Sequence, residues 1–289
     1  MIVAVYLSIA ASVVLALAGP AVGLRLPPKL GAWLLTLGAV VMSVTYLWAL
    51  TLLAATLVDE LPEVATRLPV PSGVAIGAIG LLVFGFSRAV WTTQERWRLE
   101  TAMRGACAGA TDEIVVLADP RPHAFALRGR PGRVVVSQGM LRALTPAQRR
   151  VLFAHERAHL RGHHGELLVA ARTAAALNPL LAPISHTVAY LCERWADEVA
   201  AGRVGDRRLT AQALAAAALA SVEPPPRAMP AFHELSVGRR VAALQAPAPA
   251  WQFRGLATVS MLLLCGVVLD ADLVATDQFV GLLRALLRF

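Results

Sequence analysis

Charge is scarce in this chain. Of its 289 residues only 16% are charged, against 57% hydrophobic, and the mean hydropathy is +0.59. That shortage excludes an ordinary water-soluble domain, in which about 25% of residues are charged. Cysteine is nearly absent too. Cys107, Cys192 and Cys265 are odd in number and none stands at metal-ligand spacing from another, so neither a disulfide framework nor a cysteine metal site is expected. The basic residues, among them Arg96, Arg98, Arg149, Arg150, Arg239 and Arg240, are scattered and lack an aromatic stacking platform. No direct contact with nucleic acid is therefore expected. There is no solenoid-type repeat. The first apolar run also lacks a basic segment before it, which argues against a cleaved signal peptide despite the small residues Ala16-Leu17-Ala18.

What is abundant is apolar sequence. Ile2 to about Gly23, Gly31 to Leu57 and Gly73 to about Val90 each match the about 18 to 20 apolar residues needed to cross a hydrocarbon core. A fourth run, from about Trp251 to Leu269, is shorter and meets Asp270 and Asp272; a soluble-core helix is the alternative there. Loop charges orient the spans. Arg25 and Lys29 lie between the first two, whereas Asp59, Glu60, Glu63 and Arg67 lie between the second and third. By the positive-inside rule the first loop is cytoplasmic, the N-terminus is outside, and the long segment after the third span is cytoplasmic. Residues 92–255 hold 21 of the 27 basic and 13 of the 19 acidic residues, hence the whole net charge of +8. Attraction to an anionic inner leaflet accounts for that excess.

Within this segment a helix is expected to run past Glu95, Arg96 and Arg98 to about Cys107. Short β-prone runs follow at Glu113 to Leu117, Ala124 to Leu127 and Arg133 to Ser137, the last after a Pro131-Gly132 turn. This third strand reads either as a sheet edge on which a substrate peptide adds, or as an ordinary buried strand. Glu166 to Leu191 is long and apolar but contains Arg172, Asn178, Pro179, Pro183 and His186, so two helices broken near Asn178-Pro179 are expected. They either pack into the domain or graze the membrane surface. Leu209 to Val222 is an alanine-rich helix, followed by irregular connections at Pro224-Pro225-Pro226 and Ala246 to Ala250.

The chemistry lies in His155-Glu156-Arg157-Ala158-His159. At about 100° per residue, positions four apart on a helix fall within about 40° of each other, so His155 and His159 can share one metal ion. Glu156 stands beside them as a base for a metal-activated water. A shuffled chain of this composition would contain the pattern about 0.006 times, so chance is a poor explanation. Thr145, Pro146 and Gln148 announce the helix as N-cap, first-turn proline and capping-box partner, and Gly162 ends it. A catalytic zinc keeps three protein ligands and one open position. Glu193, 34 residues beyond His159, is the best third ligand. Asp197, one turn further on the same helix face, can accept the outer N–H of a ligating histidine. His163 and His164 read as surface residues or as supports behind the ligands, because Gly162 interrupts the helical register. His123, His186 and His233 read as structural histidines, and Tyr190 is a candidate oxyanion donor on nothing more than its nearness in sequence to Glu193.

Val151 to Gly162 together with Cys192-Glu193-Arg194-Trp195-Ala196-Asp197 resembles the BlaR/MecR family of integral-membrane zinc peptidases. The resemblance extends to the preceding spans, to Gly132 to Ser137 and to one span after the domain. It implies a gluzincin-like site with His155, His159 and Glu193 as zinc ligands, Glu156 as catalytic base and Asp197 as the supporting carboxylate. It further implies cleavage of a cytoplasmic DNA-binding repressor. HtpX-type membrane peptidases, which degrade damaged membrane proteins, share a similar pattern, and a signalling protein using the zinc fold without turnover is a third reading. Phe289 lies about 20 residues after the fourth span, so no penicillin-binding sensor domain is expected; Gln278 to Phe289 suits a short amphipathic or membrane-lying helix.

The expected fold is a mainly α, multi-pass protein of a bacterial cell membrane with about four transmembrane helices. A cytoplasmic α+β, zincin-like metallopeptidase domain sits between spans three and four. Residues 1–91 form three spans, 92–250 the domain, and 251–289 the fourth span and tail. The expected partners are a protein substrate, with a winged-helix repressor as the specific candidate, the lipid bilayer and a second copy of the chain.

Overall fold

The computed structural model describes residues 2–56, 71–107, 112–129, 131–221, 231–247 and 254–286. The loop bearing Asp59, Glu60, Glu63 and Arg67 and the Pro224-Pro225-Pro226 connection lie outside them. Two compact units emerge: residues 1–95, 168–188 and 251–289 form one, and residues 96–167 and 189–250 the other.

The first unit contains helices α1 (Ile2–Arg25), α2 (Pro28–Ala55), most of α3 (Ser72–Ala106) and α10 (Arg254–Leu286). Among the described residues, four stretches within these helices are long and apolar enough to cross a membrane: Val5–Arg25, Pro28–Ala55, Ser72–Gly105 and Gly255–Gly281. The fourth differs from the sequence expectation. Asp270 and Asp272 do not end it, and the residues from Gln278 to Leu286 continue the same helix instead of forming a separate tail element. One of the two carboxylates has a partner: Ser8 Oγ donates to Asp272 Oδ1 at 2.8 Å, and both groups are buried. A carboxylate that would otherwise be costly inside an apolar bundle is thereby hydrogen-bonded. The third apolar run lies in one helix, Ser72–Ala106, which continues past Glu95, Arg96 and Arg98 to near Cys107 as expected.

The same unit takes in the middle of the Glu166 to Leu191 stretch. Helix α6 (His164–Leu177) ends at Asn178, a short 3-10 turn covers Pro179–Leu181, and α7 (Ala182–Val204) follows. Asn178 is fully buried. Its Oδ1 accepts from Leu180 N–H, which starts the turn, and its Nδ2 donates to Ser12 Oγ at 3.0 Å. Gly85 lets α3 approach the end of α6, since a Cβ there would lie 2.7 Å from the Leu177 carbonyl oxygen. The break was expected; residues 168–188 pack with the apolar helices.

The second unit is built on a three-stranded sheet of β1 (Ile114–Leu117), β2 (Ala124–Leu127) and β3 (Arg133–Ser137), in the order β1-β3-β2. Strand β3 is therefore central, parallel to β1 and antiparallel to β2. The edge-strand reading of Arg133 to Ser137 is overturned. Both faces of β3 are covered: Val135 packs with Cys107 and Leu127, and Val136 with Met140, Leu144 and Leu152. A run of consecutive valines suits such a doubly buried strand. Among the described residues β2 pairs with β3 alone, which makes β2 an edge.

Ser137 ends β3 and caps α4 (Gln138–Ala143) by accepting from Met140 N–H. Helix α5 (Pro146–Arg161) then starts with the complete capping box expected from Thr145 and Gln148 and ends at Gly162. Caps of this kind are worth about 0.5–2 kcal/mol and set the helix register. Helix α8 (Arg207–Ala220), capped by Asp206, and α9 (Ala231–Gln245) complete the unit.

Candidate metal centre

Helix α5 contributes His155, Glu156 and His159, and α7 contributes Glu193 and Asp197. The four-residue spacing does locally what was expected of it. His155 Nε2 and His159 Nε2 converge to 3.1 Å, and Glu193 places Oε2 3.5 Å from the first and Oε1 3.4 Å from the second. One ligand atom from each of the three lies within 4.8 Å of the others. Ligands about 2.0–2.1 Å from a tetrahedral zinc sit about 3.3 Å apart, so this donor set fits that ion.

The outer nitrogens are held as well. Asp197 Oδ1 lies 3.1 Å from His155 Nδ1, which leaves Nε2 turned toward Glu193. His159 Nδ1 lies 2.9 Å from His164 Nδ1. For His159 to offer its Nε2 lone pair, its proton must sit on Nδ1 and be donated to His164, an assignment that follows from the network. His164 is fully buried and its ring lies 4.3 Å from that of Trp195. A left-handed turn at His163, with φ of 52°, brings His164 back beneath the helix; Gly162 makes room, since a Cβ there would be 2.3 Å from His164 Nε2. His163 itself is exposed.

The sequence reading missed Arg240. In sequence it is one of several scattered basic residues, yet it is buried, and it reaches the site from α9. Its Nε donates to Asp197 Oδ2 and its Nη2 to Asp197 Oδ1, each at 2.8 Å, while Nη1 lies 2.9 Å from Glu193 Oε2. One guanidinium thus joins the third ligand to the carboxylate behind the first. His123 is not among the grouped ligands, and it lines the cavity at the site together with Pro122 and Ala124. Tyr190 carries the Arg239 guanidinium 5.3 Å from its ring centroid and is not among the residues lining that cavity.

Electrostatics follow from this packing. Burial opposes a charge on His155, but the hydrogen bonds it donates to Asp197 and Glu193 win and raise its pKa to about 10. Burial would likewise raise Glu193 and Asp197, yet hydrogen bonds from His155 to both, with the charge of Arg240 at Glu193 and its hydrogen bond at Asp197, hold both carboxyls below their ordinary range. These carboxylates call for positive charge between them. A proton on His155 or a divalent cation meets that demand, and metal binding displaces such a proton. Burial lowers His159 to about 4 and His164 to about 3, which keeps both rings neutral. Glu156 is buried, and burial pushes its carboxyl up to about 7 against the charge of His155; it also accepts the backbone N–H of Ala126 from the edge strand. Burial raises the Cys192 thiol to about 12, so this neighbour of Glu193 supplies no thiolate.

The model of peptidase family M48 matches residues 92–174. The matched region contains the sheet, His155, Glu156 and His159, and ends before Glu193, Asp197 and Arg240. It spans under a third of the chain and supports a zinc metallopeptidase of this family. No curated protein and no solved structure matches the chain significantly.

Proposed function

We propose that this chain is a membrane-embedded zinc endopeptidase that cuts cytoplasmic protein substrates, with a transcriptional repressor as the physiological target. The observation that carries the peptidase reading is the convergence of His155 Nε2, His159 Nε2 and the Glu193 carboxylate beside buried Glu156. Bound there, zinc supplies Lewis-acid chemistry to a scissile carbonyl and to the attacking water. Glu156 takes the proton of that water onto a carboxylate oxygen and returns it to the nitrogen of the leaving amine. Asp197 and His164 hold the two imidazoles in register, and Arg240 holds Asp197 and Glu193 in place. An extended peptide can pair with the open edge of β2, where Ala124 borders the same cavity as Glu156.

The intact base argues against a purely scaffolding role, since binding alone does not need Glu156. The repressor target rests on the BlaR/MecR resemblance and on the expected topology. The M48 match favours no one branch, so degradation of damaged membrane proteins stands as the second reading. Repressor half-life in cells carrying wild-type or Glu156→Gln protein, under cell-envelope stress, separates the two. A repressor that persists only with Glu156→Gln supports the first. An unchanged half-life with accumulating misfolded membrane proteins defeats it and leaves the peptidase intact.

The proposed topology places the site in the cytoplasm and the N-terminus outside, as the loop charges indicate. In a chain with Cys107, Cys192 and Cys265 replaced, Glu63→Cys is expected to react with a membrane-impermeant thiol reagent on intact cells, and Gly129→Cys to stay unlabelled. The reverse pattern would put the metal centre out of reach of any repressor.

A further inference from the structure

Helix α3 is longer than a membrane requires. Its 35 residues span about 50 Å at about 1.5 Å each, against about 30 Å of hydrocarbon, and from Arg96 onward it belongs to the second unit. Trp97, Leu99 and Met103 on that end are exposed, so apolar burial does little to fasten it. Charge fastens it instead. Arg96 Nε donates to Glu100 Oε1 at 3.2 Å, and Arg96 Nη2 donates to the Gly165 carbonyl at 3.4 Å. Arg128 Nη2 donates to the same Glu100 oxygen. Arg128 Nη1 also lies 3.9 Å from Glu166 Oε1, and its stem runs along Gly165, where a Cβ would be 2.3 Å from Arg128 Cδ. One carboxylate on α3 is thus tied through arginines to the end of β2 and to the start of α6.

Both of those places adjoin the metal centre. Arg128 directly follows β2, whose Ala126 N–H donates to Glu156. Gly165 directly follows His164, whose Nδ1 lies 2.9 Å from His159 Nδ1. The turn that brings His164 there is strained at His163, with φ of 52°, and a strained backbone persists only where its surroundings hold it. Arg96 and Arg128 hold Gly165, two residues on. We infer that Arg128 is a positioning residue for the metal centre, anchored on α3 by Glu100, and that a shift of the third span reaches His159 through Arg128, Gly165 and His164. The inference rests on the metal-site reading above and adds its regulation. Two magnitudes favour positioning over plain stabilisation. The side chains of Arg96, Glu100 and Arg128 stay 22% to 26% exposed, and partly exposed ion pairs add little to stability. By contrast, losing a support behind a metal ligand costs about 10- to 100-fold in metal affinity or activity. A long apolar helix changes its tilt with bilayer thickness, which supplies the input.

The test uses the full-length protein in vesicles of dimyristoyl, dioleoyl or dierucoyl phosphatidylcholine, whose hydrocarbon cores differ in thickness. Zinc affinity is measured by chelator competition, and ligand geometry by the visible absorption of the cobalt-substituted protein. Wild-type zinc affinity and cobalt bands are expected to change from one bilayer to the next. Glu100→Ala, which frees α3 from Arg128, is expected to give one value in all three. Arg128→Ala is expected to bind zinc about tenfold or more weakly with altered cobalt bands and a near wild-type melting temperature without metal, and Arg128→Lys to recover most of that affinity. If Arg128→Ala does not fold, the Glu100→Ala comparison decides. Wild-type values that are the same in every bilayer, a Glu100→Ala response equal to that of the wild type, or a folded Arg128→Ala with wild-type affinity overturns the inference and spares the metal site. Failure of the wild type to bind zinc in any bilayer overturns the metal-site reading itself.

Discussion

Glu156→Gln is expected to abolish peptide hydrolysis and leave the zinc in place. The substitution keeps side-chain size and keeps an oxygen that can accept the Ala126 N–H, so local structure is preserved. What it removes is the ability to take a proton. General-base catalysis contributes about 10²- to 10⁴-fold, and rate losses of at least that size are expected here. The ligand variants behave oppositely. His155→Ala, His159→Ala and Glu193→Ala each delete one corner of the triad whose atoms lie 3.1 to 3.5 Å apart, and each is expected to lose most of the zinc along with activity. Metal content by mass spectrometry and hydrolysis of one peptide, measured on the same preparations, separate the roles. Wild-type cleavage by Glu156→Gln would remove it as the base, and full zinc occupancy in Glu193→Ala would remove it as the third ligand.

Arg240→Ala is expected to destabilise the second unit by about 3–5 kcal/mol, the usual cost of breaking a buried pair and leaving its partner charged. Asp197 carries most of that cost, because it is almost wholly buried and both its oxygens accept from Arg240. Glu193 contributes less, since its side chain remains 38% exposed. Arg240→Lys is expected to recover little. A single ammonium cannot reproduce two parallel donors to Asp197 and a third contact to Glu193. Zinc affinity is expected to fall in both variants, because Glu193 and the support behind His155 lose their common anchor. Thermal unfolding with and without added zinc measures both effects. An unchanged melting temperature and unchanged zinc affinity in Arg240→Ala would leave Arg240 with no structural part in the site.

Local physics made much of this protein legible in its residues. Long uncharged runs mark helices that can cross a membrane, because a hydrocarbon core sets their length and forbids unpaired charge. The Thr145-Pro146-Ala147-Gln148 start and the four-residue histidine spacing act within one or two helical turns, so they mark a helix and put two imidazoles on one face of it. Glu193 and Asp197 share a face of α7 by the same rule. Whatever depended on distant contacts was not legible. Strand order is one instance: the consecutive valines of Arg133 to Ser137 suit a strand covered on both faces, but β3 became central because β1, earlier in the chain, pairs with it in parallel, and the segment itself does not say which strands flank it. Asp272 is another, since the donor that meets its buried carboxylate is Ser8, at the other end of the chain. The Arg240 bridge is the third. Its partner Asp197 lies 43 residues away, and an arginine beside another arginine in a basic segment carries no mark of burial. Only the packing of α9 against the site turns it from one surface charge among many into the cation that both carboxylates share.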